Sequence, residues 1–166
     1  MVHSGSFLTH RTAEDALSLL AAPERFVPLL PDYESMTVED AAHCTVRLVL
    51  SVAQITGHAN LNLELHQTPS DGVVEYRGQG LVAGSRFTLR IRFHVAPIGG
   101  STRVNWQGEV ELEGMLALLG GDLLDAMGRR NFDLLAERLQ AALAAQTLAP
   151  TEKPSREQST GPDFDI

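Results

Sequence analysis

The sequence predicts an α+β fold, a curved antiparallel sheet wrapped on one long C-terminal helix, with two short helices after the first strand. Three patterns predict it. Residues 116–145 are apolar at three- and four-residue steps, the period of one helix face. Most stretches between residues 44 and 112 alternate apolar and polar, the period of a half-buried strand. A one-sided antiparallel sheet needs a cover, and the apolar stripe of the final helix supplies one.

The long helix would span roughly 40 Å. Leu116, Leu119, Leu123, Leu124, Met127, Phe132, Leu135, Leu139 and Ala142 make its apolar face. Asp122, Asp125, Arg129, Arg130, Asp133, Glu137 and Gln140 make the opposite one. Gly120-Gly121 weakens its start, so the regular helix is expected from Asp122, an acceptable N-cap. Gly128 sits mid-helix, where glycine costs about 1 kcal/mol relative to alanine. Two readings of Gly128 stay open: a kink in a plain buried helix, or room left beside it.

Residues 5–11 read as a short edge strand. Thr12 can cap a helix over 13–20, with Glu14 and Asp15 in the first turn, where the helix dipole favours acids. Pro23 suits the first turn of a second short helix, whose apolar side is Phe26, Val27, Leu29 and Leu30; Pro31-Asp32 ends it. Residues 33–39 form a short strand. Clear alternation follows in Cys44, Val46, Leu48, Leu50 and Val52, and again in Ala59, Leu61, Leu63 and Leu65. Pro69-Ser70-Asp71-Gly72 is a turn, and Val74 and Tyr76 continue the inward set. Gly78, Gly80 and Gly84 suggest bends or bulges. Phe87, Leu89, Ile91, Phe93 and Val95 pair through the Ile98-Gly99-Gly100-Ser101 turn with Val104, Trp106, Gly108, Val110 and Leu112. That hairpin sets Arg90 and Arg92 opposite Gln107, Glu109 and Glu111 on a solvated outer face.

Composition bounds the function. The chain of 166 residues reads as one domain, 1–146, and a disordered tail, 147–166, which holds three prolines. A net charge of −8 disfavours a nucleic-acid surface, which needs a positive field. The lone Cys44 fits a reducing compartment. With no apolar run of transmembrane length and no secretion signal, a cytoplasmic protein is expected, with peripheral membrane contact left open.

Acid–base chemistry is hard to find. Counted by strand parity from Cys44 onward, the inward set carries polarity only in the Tyr76 hydroxyl, the Trp106 N–H and the Cys44 thiol, and offers no general acid or base. None of the six histidines pairs with another at a metal-ligand step. No Gly-Lys-Ser/Thr follows Gly78-Gln79-Gly80, so it is no phosphate loop. An apolar cavity with a few polar tips suits a hydrophobic ligand. The residues expected to line it are Leu63, Tyr76, Phe87, Leu89, Ile91, Phe93, Trp106, Gly108, Leu124, Met127 and Gly128. Gly108 and Gly128 are the places where volume is expected to be missing. No catalytic residue and no metal ligand are assigned.

The order of elements resembles the helix-grip fold of the START-like, or SRPBCC, superfamily. Within it the chain resembles the carbon monoxide dehydrogenase CoxG family. The motifs are Pro23-Glu24-Arg25-Phe26 running to Leu30-Pro31, the Gly78-Gln79-Gly80 to Gly84 segment, and Gly114-Met115-Leu116-Ala117-Leu118-Leu119-Gly120. The family usually has Gly and Cys where this chain has Asp32 and Tyr33. Longer members carry a C-terminal extension associated with membrane attachment; residues 147–166 contain no hydrophobic anchor. The resemblance implies a non-catalytic helper of carbon monoxide dehydrogenase-type molybdenum hydroxylases, acting in maturation, membrane recruitment or coupling to a quinone pool. It implies a bound quinone or lipid and no covalent cofactor, and it supplies no catalytic residues. Two alternatives stand beside it. One is an enzyme of the polyketide cyclase/aromatase type acting on a hydrophobic substrate, which needs a titratable group in the cavity. The other is an interaction protein with a filled core. Deleting residues 150–166 should move the melting temperature by no more than about two degrees, because the segment has little to bury; a larger drop in a thermal melt would show that it docks.

Overall fold

The alternating segments zip into one antiparallel sheet because each buries one face and solvates the other. The computed structural model describes residues 1–52 and 54–145; the expected tail, 147–166, lies outside them. The strands are β1 (Val2–Thr9), β2 (Tyr33–Val38), β3 (His43–Val52), β4 (Ile55–Thr68), β5 (Val73–Val82), β6 (Ser85–Ile98) and β7 (Ser101–Glu113). Their order in the sheet is β1-β7-β6-β5-β4-β3-β2. Helix α1 (Ala13–Leu20) begins where the Thr12 hydroxyl accepts the Asp15 N–H at 3.0 Å. Helix α2 (Pro23–Phe26) runs on into a 3₁₀ turn, Val27–Leu29.

Several expectations shift. The first strand begins at Val2 rather than Gly5, because Met1 already joins the ladder: its carbonyl accepts the Val110 N–H at 3.0 Å. Gly78 and Gly80 lie in unbroken register with both neighbouring strands, so they are not bulges. They make room instead. A Cβ on Gly78 would stand 2.7 Å from Leu61 and 2.8 Å from Leu63, and one on Gly80 would meet the Phe87 ring at 2.7 Å. Gly84, at φ +77°, belongs to the tight β5–β6 turn.

The long helix comes in two pieces. Met115–Leu119 is a 3₁₀ turn, Gly120 at φ +102° breaks the run, and α3 spans Gly121–Ala145. Phe132, Leu135, Leu139 and Leu143 of α3 are buried against the sheet. The Phe132 ring sits where Gly108 has no side chain: a Cβ there would be 2.2 Å from it. Arg11 donates from Nε to the Leu143 carbonyl at 3.0 Å, placing a cation at the C-terminal end of α3, where the dipole favours it.

The inner face divides in two. Toward the β6–β7 turn, α1 and α2 cover it: Phe26 stacks on Tyr76 at 4.6 Å and meets Phe93 edge-on at 5.4 Å. On the outer face Arg90 lies opposite Glu109 and Arg92 opposite Gln107, the pairing that the hairpin implies. The ion pairs, however, run the other way along the sheet, from Arg77 and Arg90 to the buried Glu75. Burial pushes the Glu75 carboxyl up, but the hydrogen bonds from Arg77 and Arg90 outweigh it and hold its pKa below the ordinary value.

Gly108→Ala should cost about 1–3 kcal/mol, the usual range for overpacking a filled core, and adding Phe132→Leu should recover part of it. Urea denaturation of the two variants checks this; an unchanged midpoint in Gly108→Ala would show that the ring does not rest in the notch.

Candidate functional site

At the end of the sheet that α1 and α2 leave uncovered, the first half of α3 stands over the strands and encloses an apolar cavity of about 160 Å³. Leu48 and Leu50 of β3, Val82 of β5, Phe87, Leu89 and Ile91 of β6, and Val110 and Leu112 of β7 form its floor. Leu124, Met127, Gly128, Asn131, Phe132 and Leu135 of α3 form its roof. Leu30, Pro31, Leu116 and Met1 close the sides. Asn131 is the one polar side chain among these residues, and none of them is an acid, a base or a nucleophile. An apolar cavity of roughly this size can hold a benzene-sized ring.

Six of the eleven residues expected from the sequence are brought together here: Phe87, Leu89, Ile91, Leu124, Met127 and Gly128. The other five lie elsewhere, each for a packing reason. Tyr76 is buried beneath α1, its hydroxyl donating to the Leu20 carbonyl at 2.6 Å, and burial raises its pKa. Phe93 is held by Phe26. Leu63 fills the space over Gly78. Trp106 lies on Gly5, where a Cβ would stand 2.7 Å from its ring, and stacks on Phe132 at 5.9 Å. Gly108 is not an empty place, because Phe132 occupies it. Gly128 is a notch as well, and the Met1 Sδ rests there, 2.5 Å from where a Cβ would stand.

Strand parity marks Leu48, Leu50, Val110 and Leu112 as inward, but it does not say which end of the sheet stays open. That end is set by where α1 and α2 dock. Parity extended to β1 also finds His3, whose side chain is only 8% exposed. Its Nε2 lies 3.4 Å from Asp125 Oδ1 and has no hydrogen-bond partner, and its ring lies 5.8 Å from Phe132. The imidazole therefore sits behind the cavity wall. Cys44 is buried on the inner face of β3, and burial pushes its thiol pKa up, which disfavours the reactive thiolate.

Beside Leu116 and Leu124 the surface is unusually apolar. Met115 is 76% exposed and Leu118 84%, with Leu119 and Leu123 also exposed. These side chains form an apolar lip next to the cavity, on the 3₁₀ turn bounded by Gly114 at φ +98° and Gly120. No helix among the described residues is long and apolar enough to cross a membrane.

Residues 5–144 match the carbon monoxide dehydrogenase CoxG family. The chain belongs to that family. No curated protein matches it in sequence. Solved structures similar to this CoxG-family chain include a conserved protein from Geobacillus kaustophilus, with 16% identity and a TM-score of 0.76 over 88% of this chain and 97% of that one. A START superfamily protein from Mycobacterium smegmatis is similar with 14% identity and a TM-score of 0.69, over 87% and 98% of the two chains. The Zhui aromatase/cyclase from Streptomyces sp. R1128 is similar with 15% identity and a TM-score of 0.65, over 90% and 96%. At such identities these likenesses establish the fold, the START-like (SRPBCC) helix-grip arrangement, and leave function to the site.

Gly128→Leu should fill the notch and displace the flexible Met1 side chain. Uptake of an apolar fluorescent probe should be lost while the melting temperature moves by less than about 4 °C. Unchanged uptake in a probe titration would remove Gly128 from the site.

Proposed function

We propose that this CoxG-family protein binds a hydrophobic small molecule, quinone-like or lipid-like, and hands it to or holds it for a partner oxidoreductase of the carbon monoxide dehydrogenase type. The observation that carries the reading is the cavity lining: apolar walls with the single polar side chain of Asn131. An apolar body is desolvated by those walls, at roughly 25 cal/mol for each Å² of apolar surface removed from water. Asn131 can donate to or accept from one oxygen of the ligand.

Size narrows the class. A cavity of about 160 Å³ takes a ring and not a whole lipid, so a longer ligand must leave its tail along the Leu116 side. The exposed Met115, Leu118, Leu119 and Leu123 offer that tail an apolar path. The same lip suits transient contact with a membrane surface, where such a ligand is dissolved. The oxidoreductase partner rests on the family's description. The cyclase/aromatase alternative has weaker support, because the residues around the cavity provide no group to move a proton.

Extraction of the purified protein with organic solvent, followed by mass spectrometry beside a matched control protein, tests the reading. A stoichiometric quinone or lipid is the expected result. An empty protein whose cavity also refuses apolar probes would overturn it and leave an assembly factor that works through its surface.

A further inference from the structure

The two edges of the sheet are treated differently. At one edge, β2 is short, carries the exposed Glu34 and shifts register between Tyr33 and Ser35. Short length, charge and irregularity are devices that stop an edge from pairing with another chain. At the other edge, β1 has none of them. Val2–Thr9 contains no proline and no acidic, lysine or arginine residue, and its register with β7 is unbroken.

The hydrogen bond from the Val110 N–H to the Met1 carbonyl fixes which groups of β1 are free. In an antiparallel pair the residues bonded across alternate along the strand. The odd-numbered residues of β1 therefore bond to β7, and the backbone groups of Val2, Ser4, Ser6 and Leu8 point off the edge. The outer-face side chains of those same residues are exposed, Val2 at 53% and Leu8 at 52%.

We propose that β1 pairs with the β1 of a second copy of this chain, antiparallel about a two-fold axis through Gly5. In this register all of the outward backbone groups are used. Val2 meets Leu8, Ser4 meets Ser6, and each pair recurs on the other side of the axis, exchanging two backbone hydrogen bonds. The exposed Val2 and Leu8 side chains cover each other at both ends, and the serine hydroxyls meet between them. The two α3 helices then lie antiparallel on the same face of the joined sheet. The flank of α3 that borders β1 carries the ion-paired Asp125 and Arg129, so opposite charges can meet there across the axis. A single strand pair buries less than the roughly 1,600 Å² of a standard interface, so the dimer exchanges with monomer.

Sedimentation velocity of the full chain over a concentration series tests this. The unmodified protein should show a reversible monomer–dimer equilibrium. Ser6→Pro removes an outward N–H and leaves the β7 ladder whole; it should be monomeric with an unchanged circular dichroism spectrum. Val2→Glu and Leu8→Lys should each weaken the dimer about five- to tenfold, since each disrupts two cross-strand pairs. The double variant sets each new carboxylate against the other copy's new ammonium and should regain the dimer. A monomer at every concentration would overturn the proposal and leave the edge to a strand from another protein. A dimer indifferent to Ser6→Pro, or no recovery in the double variant, would equally overturn it.

Discussion

The seat of Phe132 on Gly108 is the contact on which the rest of the molecule depends. A missing side chain on β7 lets an aromatic ring of α3 reach the sheet backbone, and that fixes how closely the helix approaches at this point. C-terminal to it, Leu135, Leu139 and Leu143 follow the helix period into the core, and Arg11 caps the end. N-terminal to it, the sheet face offers Phe87, Leu89 and Ile91 without a matching set of helix side chains. The space between them is the cavity.

A second constraint decides where the open volume lies. Two short helices cannot cover the whole inner face of a seven-stranded sheet. Phe26, clamped on Tyr76 and Phe93, commits α1 and α2 to the β6–β7 turn end. The opposite end is covered only by the first turns of α3 and by the Met115–Leu119 turn. The apolar lip and the cavity share that end because both are what the helices fail to bury.

Most of the architecture was legible in the sequence, because alternation and helix period are local signals. Thr12 as a cap, the break at Gly120 and the Arg90–Glu109 register could all be read directly. The site was legible only in part. Period two assigns a face to each residue but not a position along the strand relative to a helix docked from elsewhere. That is why Tyr76, Phe93 and Trp106, all correctly inward, lie away from the cavity. The glycines misled for a related reason. A missing side chain at Gly108 reads as empty volume until the partner ring is known. Gly78 reads as a bulge until its register shows that it makes room for Leu61 and Leu63. His3 is within reach of the same parity rule once the rule is carried to the first strand.

The division of α3 also bears on how a ligand enters. Local stability follows the density of buried apolar contacts, and regions poor in them open at a small fraction of the global free energy. The second half of α3 has three fully packed leucines and a C-terminal cation. The first half has Gly121, Gly128, an exposed Leu123 and only Leu124 buried before Phe132. Each interior glycine lowers helix stability by about 1 kcal/mol relative to alanine. The Phe132 seat therefore acts as a fulcrum: displacement of the turns before it widens the cavity while those after it keep the sheet covered. A site of about 160 Å³ can thus admit something larger than its resting volume without unfolding the domain, and the segment that must move is the one that carries the apolar lip.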